Sequence, residues 1–158
     1  MTPEKLHLAL NHFVFLFPLA ALIPLGVGLL MKSRPAILSG IGIALIGRLL
    51  TGIVMGTGEE AYERYKSGPI AAHLDAGAGA ALDHHEEVGH TWSKVMYAMA
   101  GASIAAFVVA FTKHRWLPWA AVAVMALCLA SAVAGIAIAD TGSEIRRPDF
   151  RSESASER

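Results

Sequence analysis

The chain has 158 residues, of which 54% are hydrophobic and only 16% are charged, and its mean hydropathy is +0.49. Soluble domains average about 25% charged residues, so this composition indicates an integral membrane protein. The 13 basic and 13 acidic residues cancel, which argues against a nucleic-acid partner. The single cysteine, Cys128, excludes a disulfide framework, a cysteine-ligated cluster and a c-type haem attachment motif.

Four stretches are long and apolar enough to cross a bilayer, which takes about 20 residues of helix. In chain order they are residues 8–31, 36–55, 95–112 and 116–139. Only a few residues separate the first from the second and the third from the fourth, so these neighbours must run antiparallel. The predicted fold is an all-α four-transmembrane-helix bundle made of two antiparallel hairpins. No short repeat is visible, and a remote duplication of the hairpin stays open.

The first helix contains two prolines, Pro18 and Pro24, which predict kinks. Its apolar run is too long for a signal peptide and lacks a cleavage site, so we expect it to be retained. His12 lies about one turn inside its outer edge. Two interpretations are open: a headgroup-level histidine bonded to a carbonyl, or an inward-facing ligand or proton-relay group.

The second helix contains Arg48, which the helical rise places about 12 Å from the outer end. An unpaired charge at this depth is costly, so a carboxylate partner is expected. Asp140 is the obvious candidate, with Glu59 or Glu60 as the other. The alternative is an anion-binding role for Arg48, for example toward a haem propionate or a quinone carbonyl.

A short interfacial helix is predicted between the hairpins. Thr57 and Glu60 have the spacing of a capping box, in which a threonine side chain begins a helix. Residues 71–82 contain two glycines and read as a linker, although a helix from Ala80 onward can run into the third membrane helix.

The densest group of polar residues lies in that helical extension. Asp83, Glu86, Glu87, His90 and Lys94 share one face at spacings of three and four. One interpretation is a solvated, mixed-charge helix face. The other is a cofactor site, for which two candidate sets follow. A single transition-metal ion is predicted to use residues from His12, His84, His85, Glu86, Glu87 and His90. A haem b is predicted to use His12 with His85 or His90, and Arg48 as a further contact.

The short loops set the orientation. Lys32, Arg34, Lys113 and Arg115 lie on one side, which the positive-inside rule predicts to be cytoplasmic. Both termini are then periplasmic, in a bacterial inner membrane. Residues 1–150 form the membrane domain, and residues 151–158 are predicted to be a disordered tail.

Four motifs resemble those of a bacterial family of four-helix integral membrane proteins. They are Leu-His-Leu-Ala-Leu-Asn-His-Phe at residues 6–13, Thr-Gly-Glu-Glu-Ala-Tyr-Glu at 57–63, His-His-Glu-Glu at 84–87, and Thr-Gly-Ser-Glu-Ile-Arg-Arg-Pro-Asp-Phe at 141–150. Arg147 stands where the family pattern has a histidine, and Val14 stands where it generally has proline. The resemblance implies the four-helix fold and a polar outer end, and it implies no activity.

Three functions fit the sequence. The first is a haem- or metal-binding electron-transfer or accessory subunit of a larger membrane complex. The second is a structural subunit without a cofactor, which packs against partner helices or forms a homo-oligomer. The third is a quinone-linked or proton-relaying enzyme or transporter, although no inverted repeat with broken helices is visible. The lipid bilayer is a partner in all three.

Overall fold

The computed structural model describes residues 1–68, 71–112 and 114–151, and this part of the chain is helical with short connections. The helices are α1 (Pro3–Leu10), α2 (Phe13–Leu30), α3 (Arg34–Lys66), α4 (Ala78–Thr112) and α5 (Leu117–Glu144). Because α1 continues into α2 through a single turn, the described residues contain four apolar spans that are long enough to cross a membrane. The protein is therefore a small multi-pass membrane protein, and the predicted all-α four-helix bundle is confirmed.

Consecutive helices pack as antiparallel pairs. In the first pair, Gly28 of α2 contacts Ile37, Leu25 contacts Gly40, and Phe17 contacts Gly47, so one number falls as the other rises. In the second pair, Met99 of α4 contacts Ser131 and His85 contacts Thr141 in the same sense. Further contacts between α2 and α5 and between α3 and α4 close the bundle.

Small residues allow the helices to approach closely. A Cβ atom added to Gly47 would lie 2.7 Å from Cβ of Phe17, and one added to Gly135 would lie 2.7 Å from Cβ of Phe15. Such contacts replace the hydrophobic effect as the source of helix association in lipid. The core around them is built from small and branched apolar side chains: Ala21, Leu25, Ile37, Ile41, Ala44, Ala121, Val124 and Cys128.

The second membrane helix is longer than the sequence predicts. α3 runs without a break to Lys66, so the separate interfacial helix is a wrong prediction. Thr57 does not cap a new helix, because its hydroxyl donates back to the carbonyls of Ile53 and Val54, both at 3.0 Å. The helix ends where Gly68 adopts a left-handed φ of 101°, a conformation that glycine reaches without a steric penalty.

The connection between the hairpins is shorter than the predicted linker, residues 71–82. α4 already begins at Ala78, so the second half of the expected linker is helical, and the predicted helical extension into the membrane span is confirmed.

The C-terminal segment is described as far as Arg151, the first residue of the predicted tail, which packs against the end of α5. Arg151 donates to the carbonyls of Glu144 and Ile145 at the end of α5, and to both carboxylate oxygens of Asp75 at 2.7 and 2.8 Å. The hydrogen bonds from Arg151 hold the pKa of Asp75 well below its ordinary value. Residues 152–158, like Lys113 in the inner loop, lie outside the described residues.

Replacing Gly47 by alanine tests the close packing. The added methyl group would overlap Phe17 and Pro18, so we expect Gly47→Ala to lower the free energy of unfolding by about 1–3 kcal/mol. Gly52→Ala, on the same helix with nothing near its Cβ position, is the matched control and should cost nothing. Unfolding by sodium dodecyl sulfate in mixed micelles, followed by circular dichroism, gives both values. Equal stability of the two variants would contradict this packing.

Candidate functional site

At one end of the bundle, acidic and basic side chains form ion pairs between neighbouring helices. Glu4 of α1 pairs with Arg64 of α3 at 2.6 Å. Asp83 of α4 accepts from Lys66 at 2.8 Å and from the Tyr62 hydroxyl at 2.9 Å, both on α3. Part of the charge that the sequence concentrates here therefore pairs neighbouring helices with each other.

The charged face of α4 points outward. Asp83, Glu87, His90 and Lys94 are exposed, as expected for a solvated helix face. His90 is bonded through Nε2 to Oε1 of Glu86 at 2.9 Å, one turn before it on the same helix. This face contains side chains of the right types for a metal, but it faces away from the bundle.

The other predicted ligands are scattered around the same end. His12 is exposed, with its ring 5.9 Å from that of Phe15, and His84 is half-buried. Within residues 1–68, 71–112 and 114–151, no three ligand-type side chains lie close enough to hold a metal ion together. The residues of the predicted single-ion set are thus near one end of the bundle without forming one compact cluster.

His85 differs from the other histidines of this segment. It lies on the inner face of α4, where its Nδ1 is 2.9 Å from the hydroxyl oxygen of Thr141 on α5. Its ring packs against Gly142, whose added Cβ would lie 3.1 Å from Cε1 of the ring. Only glycine leaves the ring this much room beside the helix backbone.

The bond to Thr141 fixes the tautomer of His85. The Thr141 hydroxyl donates to the carbonyl of Ile138 at 3.0 Å. Because its single hydrogen is used there, the hydroxyl oxygen accepts from Nδ1–H of His85. The neutral ring then has its lone pair on Nε2. Histidines that bind metals commonly have this arrangement, in which the second ring nitrogen donates to a fixed acceptor.

His7 has the same arrangement on the other hairpin, and the sequence analysis did not select it. Its Nδ1 is 3.0 Å from the carbonyl of Val54, which can only accept, so its lone pair is also on Nε2. Its ring packs against Gly58, whose added Cβ would lie 2.9 Å from Cε1. The sequence signal was the Thr-Gly-x-Glu pattern shared by residues 57–60 and 141–144, each of which lies opposite a histidine of the same hairpin.

Arg48 is buried in the centre of the bundle, with 2% of its surface exposed. Its guanidinium donates to the carbonyl of Leu127 on α5 at 3.0 Å. The other two groups, Nε and Nη1, have no hydrogen-bond partner among the described residues. Arg48 therefore has unused donors at a depth where no water is expected.

The predicted carboxylate partners of Arg48 are wrong. Asp140, Glu59 and Glu60 are all exposed, and in the described part of the chain Arg48 donates to a backbone carbonyl instead. The reason is register: Arg48 lies beside the middle of α5, whereas Asp140 lies near its end.

Comparison of the chain with protein-family models, with curated proteins and with solved structures finds no match in any of the three. The function therefore has to be argued from these residues.

Replacing Thr141 tests the bond that orients His85. Thr141→Val keeps the shape of the buried side chain but leaves Nδ1–H of His85 without its acceptor. We expect the free energy of unfolding to fall by about 1–3 kcal/mol, measured by detergent-induced unfolding. Thr141→Ser retains the hydroxyl and should recover most of the loss. A valine variant as stable as the serine variant would contradict the bond.

Replacing Arg48 tests whether it has a strong partner in the protein. Arg48→Met removes the buried charge while keeping most of the volume, so we expect the ligand-free protein to be at least as stable as the wild type. Arg48→Ala removes the volume as well and should be less stable than Arg48→Met. A loss of about 3 kcal/mol or more in Arg48→Met would instead indicate a paired charge.

Proposed function

We propose that this small multi-pass membrane protein binds a transition-metal centre, as haem b or as a single ion, at the polar end of its bundle. In this proposal it is an electron-transfer or accessory subunit of a larger complex in a bacterial inner membrane, with both termini periplasmic. Membership of the bacterial family that its motifs resemble is part of the proposal. The layout also resembles small subunits of electron-transfer membranes, and that analogy concerns architecture alone.

The arrangement around His85 is the observation that carries the proposal. Placing an imidazole on the inner side of a membrane bundle costs free energy unless the ring has a hydrogen-bond partner or a ligand. Here one ring nitrogen is held by Thr141, and the ring is held against Gly142. The remaining nitrogen, Nε2, is the atom through which imidazole binds iron, copper or zinc.

Arg48 adds a second feature that fits a cofactor. Its Nε and Nη1 donors are unpaired, and in a low-dielectric interior such donors strongly favour an anionic or carbonyl group. Haem has two propionates, and a guanidinium is suited to bind a carboxylate. The helical rise places Arg48 about 9 Å from Val54 along α3, deeper in the bundle than His7.

The short loops support the orientation. Lys32 lies between α2 and α3, Arg34 begins α3, and Arg115 lies between α4 and α5, all at the end of the bundle opposite His85. Positive loops stay on the cytoplasmic side, so the histidine end is assigned to the periplasm.

A structural subunit without a cofactor is the second candidate. It is favoured by the absence of a compact group of three ligand-type side chains in the described residues. Large exposed apolar side chains, among them Leu49, Ile53, Leu129, Val133 and Ile136, leave wide surfaces for lipid or for partner helices. Recovery of a stable monomer with no partner after mild detergent extraction would count against this candidate.

Purification and an optical spectrum test the proposed function. We expect the protein extracted in a mild detergent to show a Soret band, or one equivalent of a transition metal by mass spectrometry. His85→Asn should lower the affinity for that metal centre at least about tenfold, because asparagine keeps a donor near Nδ1 and lacks Nε2. His90→Asn, at an exposed position on the same helix, is the matched control and should bind as the wild type does.

The contrary result is equally clear. Wild-type protein without a Soret band, without a stoichiometric metal and without uptake of added haem or zinc would overturn the metal-binding function.

A further inference from the structure

The two hairpins repeat one pattern of hydrogen bonds. Thr57 donates to the carbonyl three residues before it, that of Val54, and Thr141 donates to the carbonyl three residues before it, that of Ile138. In each case a histidine from the preceding helix of the hairpin hydrogen-bonds through Nδ1 to one member of this threonine–carbonyl pair. His7 binds the Val54 carbonyl, and His85 binds the Thr141 hydroxyl.

The steric pattern repeats as well. The glycine after each threonine, Gly58 or Gly142, lies under the ring of the corresponding histidine. His7 is followed by His12 at the same spacing at which His85 is followed by His90, and the second histidine of each pair is exposed.

The pattern of buried residues along the membrane helices also repeats between the two hairpins. Aligning His7 with His85 places buried Pro18, Ala21 and Leu25 on Met96, Met99 and Ser103, which are also buried. Aligning Thr57 with Thr141 pairs six of the eight buried residues of α3 with buried residues of α5. The α3 positions are Ile37, Gly40, Ala44, Gly47, Arg48 and Thr51, and their α5 counterparts are Ala121, Val124, Cys128, Ser131, Ala132 and Gly135. The remote duplication that the sequence left open thus has a structural counterpart.

The repeat determines how the two histidines are related. Each hairpin crosses the membrane twice, so both hairpins begin on the same side, and their relation is a rotation about an axis along the membrane normal. Equivalent atoms then lie at the same depth. Both rings are partly buried at the same end of the bundle.

We propose that His7 and His85 are the two axial ligands of one haem iron, each binding through Nε2. This inference rests on the proposed metal-binding function and replaces His12 and His90 as the partners of His85. Both Nδ1 atoms are already engaged as donors, so both lone pairs are available.

The number of ligands selects haem over a bare ion. A structural zinc site takes four protein ligands, and a catalytic one takes three. The described residues hold no group of three ligand-type side chains, so this pair has no third donor of that kind. The iron of haem already has four porphyrin nitrogens and needs only two from the protein.

Movement of the N-terminal helix α1 provides an entry path for a planar ligand. α1 buries none of its residues, and a turn at Asn11 and His12 separates it from α2. Among the described residues, side chains of α1 bond to α3 through the His7–Val54 hydrogen bond and the Glu4–Arg64 ion pair. Displacing α1 therefore exposes little of the core, and rebinding of α1 brings His7 to the ligand.

The test compares four asparagine variants in the full-length protein, titrated with Fe-protoporphyrin IX in detergent. We expect the wild type to form a six-coordinate, low-spin haem. His7→Asn and His85→Asn should each give a five-coordinate, high-spin spectrum with at least about tenfold weaker binding. His12→Asn and His90→Asn, the exposed counterparts, should leave spectrum and affinity unchanged.

Two measurements separate ligation from a structural role of His7. The unfolding midpoint of each ligand-free variant shows whether it folds. His7→Gln is a second variant, which places its amide nearer the Nε2 position, and it should lose the low-spin spectrum as His7→Asn does.

Each contrary result has one meaning. If His85→Asn loses the low-spin spectrum and the folded His7→Asn keeps it, the role of His7 is overturned while the proposed function stands. If the wild type takes up no haem but binds Zn²⁺ through both histidines, the haem assignment is overturned while metal binding stands. If the wild type takes up neither probe, both proposals fail.

Discussion

Close contact at small side chains fixes the register of the helices, and the other features of this protein depend on that register. Gly28, Gly40 and Gly47 let α2 lie directly against α3, and Gly135 lets Phe15 lie against α5. A helix shifted by one turn would move about 5.4 Å. The rings of His7 and His85 would then meet side chains of the wrong residues instead of Gly58 and Gly142.

The interior of the bilayer offers no water, so polar side chains in the helices bond to backbone carbonyls instead. Ser131 and Thr112 donate to the carbonyl four residues before them, and Thr57 and Thr141 donate to carbonyls three residues before them. At Thr57 and Thr141 this local bonding also involves a histidine. The Val54 carbonyl, to which Thr57 donates, accepts a hydrogen bond from His7, and the Thr141 hydroxyl accepts one from His85. The bond that gives each threonine hydroxyl an acceptor within the membrane thereby also fixes the orientation of a histidine ring.

The sequence predicts the membrane spans and the all-α fold because apolar length and loop length are local properties. The extension of α4 above the membrane is predicted for the same reason. The continuity of α3 was missed, since a threonine followed by a glycine can either begin a helix or bond back within one. The choice depends on whether the preceding turn is already helical, which spacing alone does not reveal.

The candidate site was predicted less completely, because periodicity describes the faces of one helix and not which neighbour each face meets. The carboxylate partner of Arg48 was chosen by depth, whereas the register places a carbonyl of Leu127 beside it. The dense His/Glu run drew attention to the exposed face of α4, while His7 stands between two leucines and outside that run. Its role becomes visible only when both hairpins are compared.

Arg48 is also the point at which the two halves of the bundle differ most. Its counterpart in the second hairpin is Ala132, so a long cationic side chain on one side of the axis faces a single methyl group on the other. A ligand whose acidic edge lies to one side of the axis would meet the guanidinium in only one of two half-turn-related poses. This asymmetry would thus give the ligand one preferred orientation in a site that is otherwise two-fold symmetric.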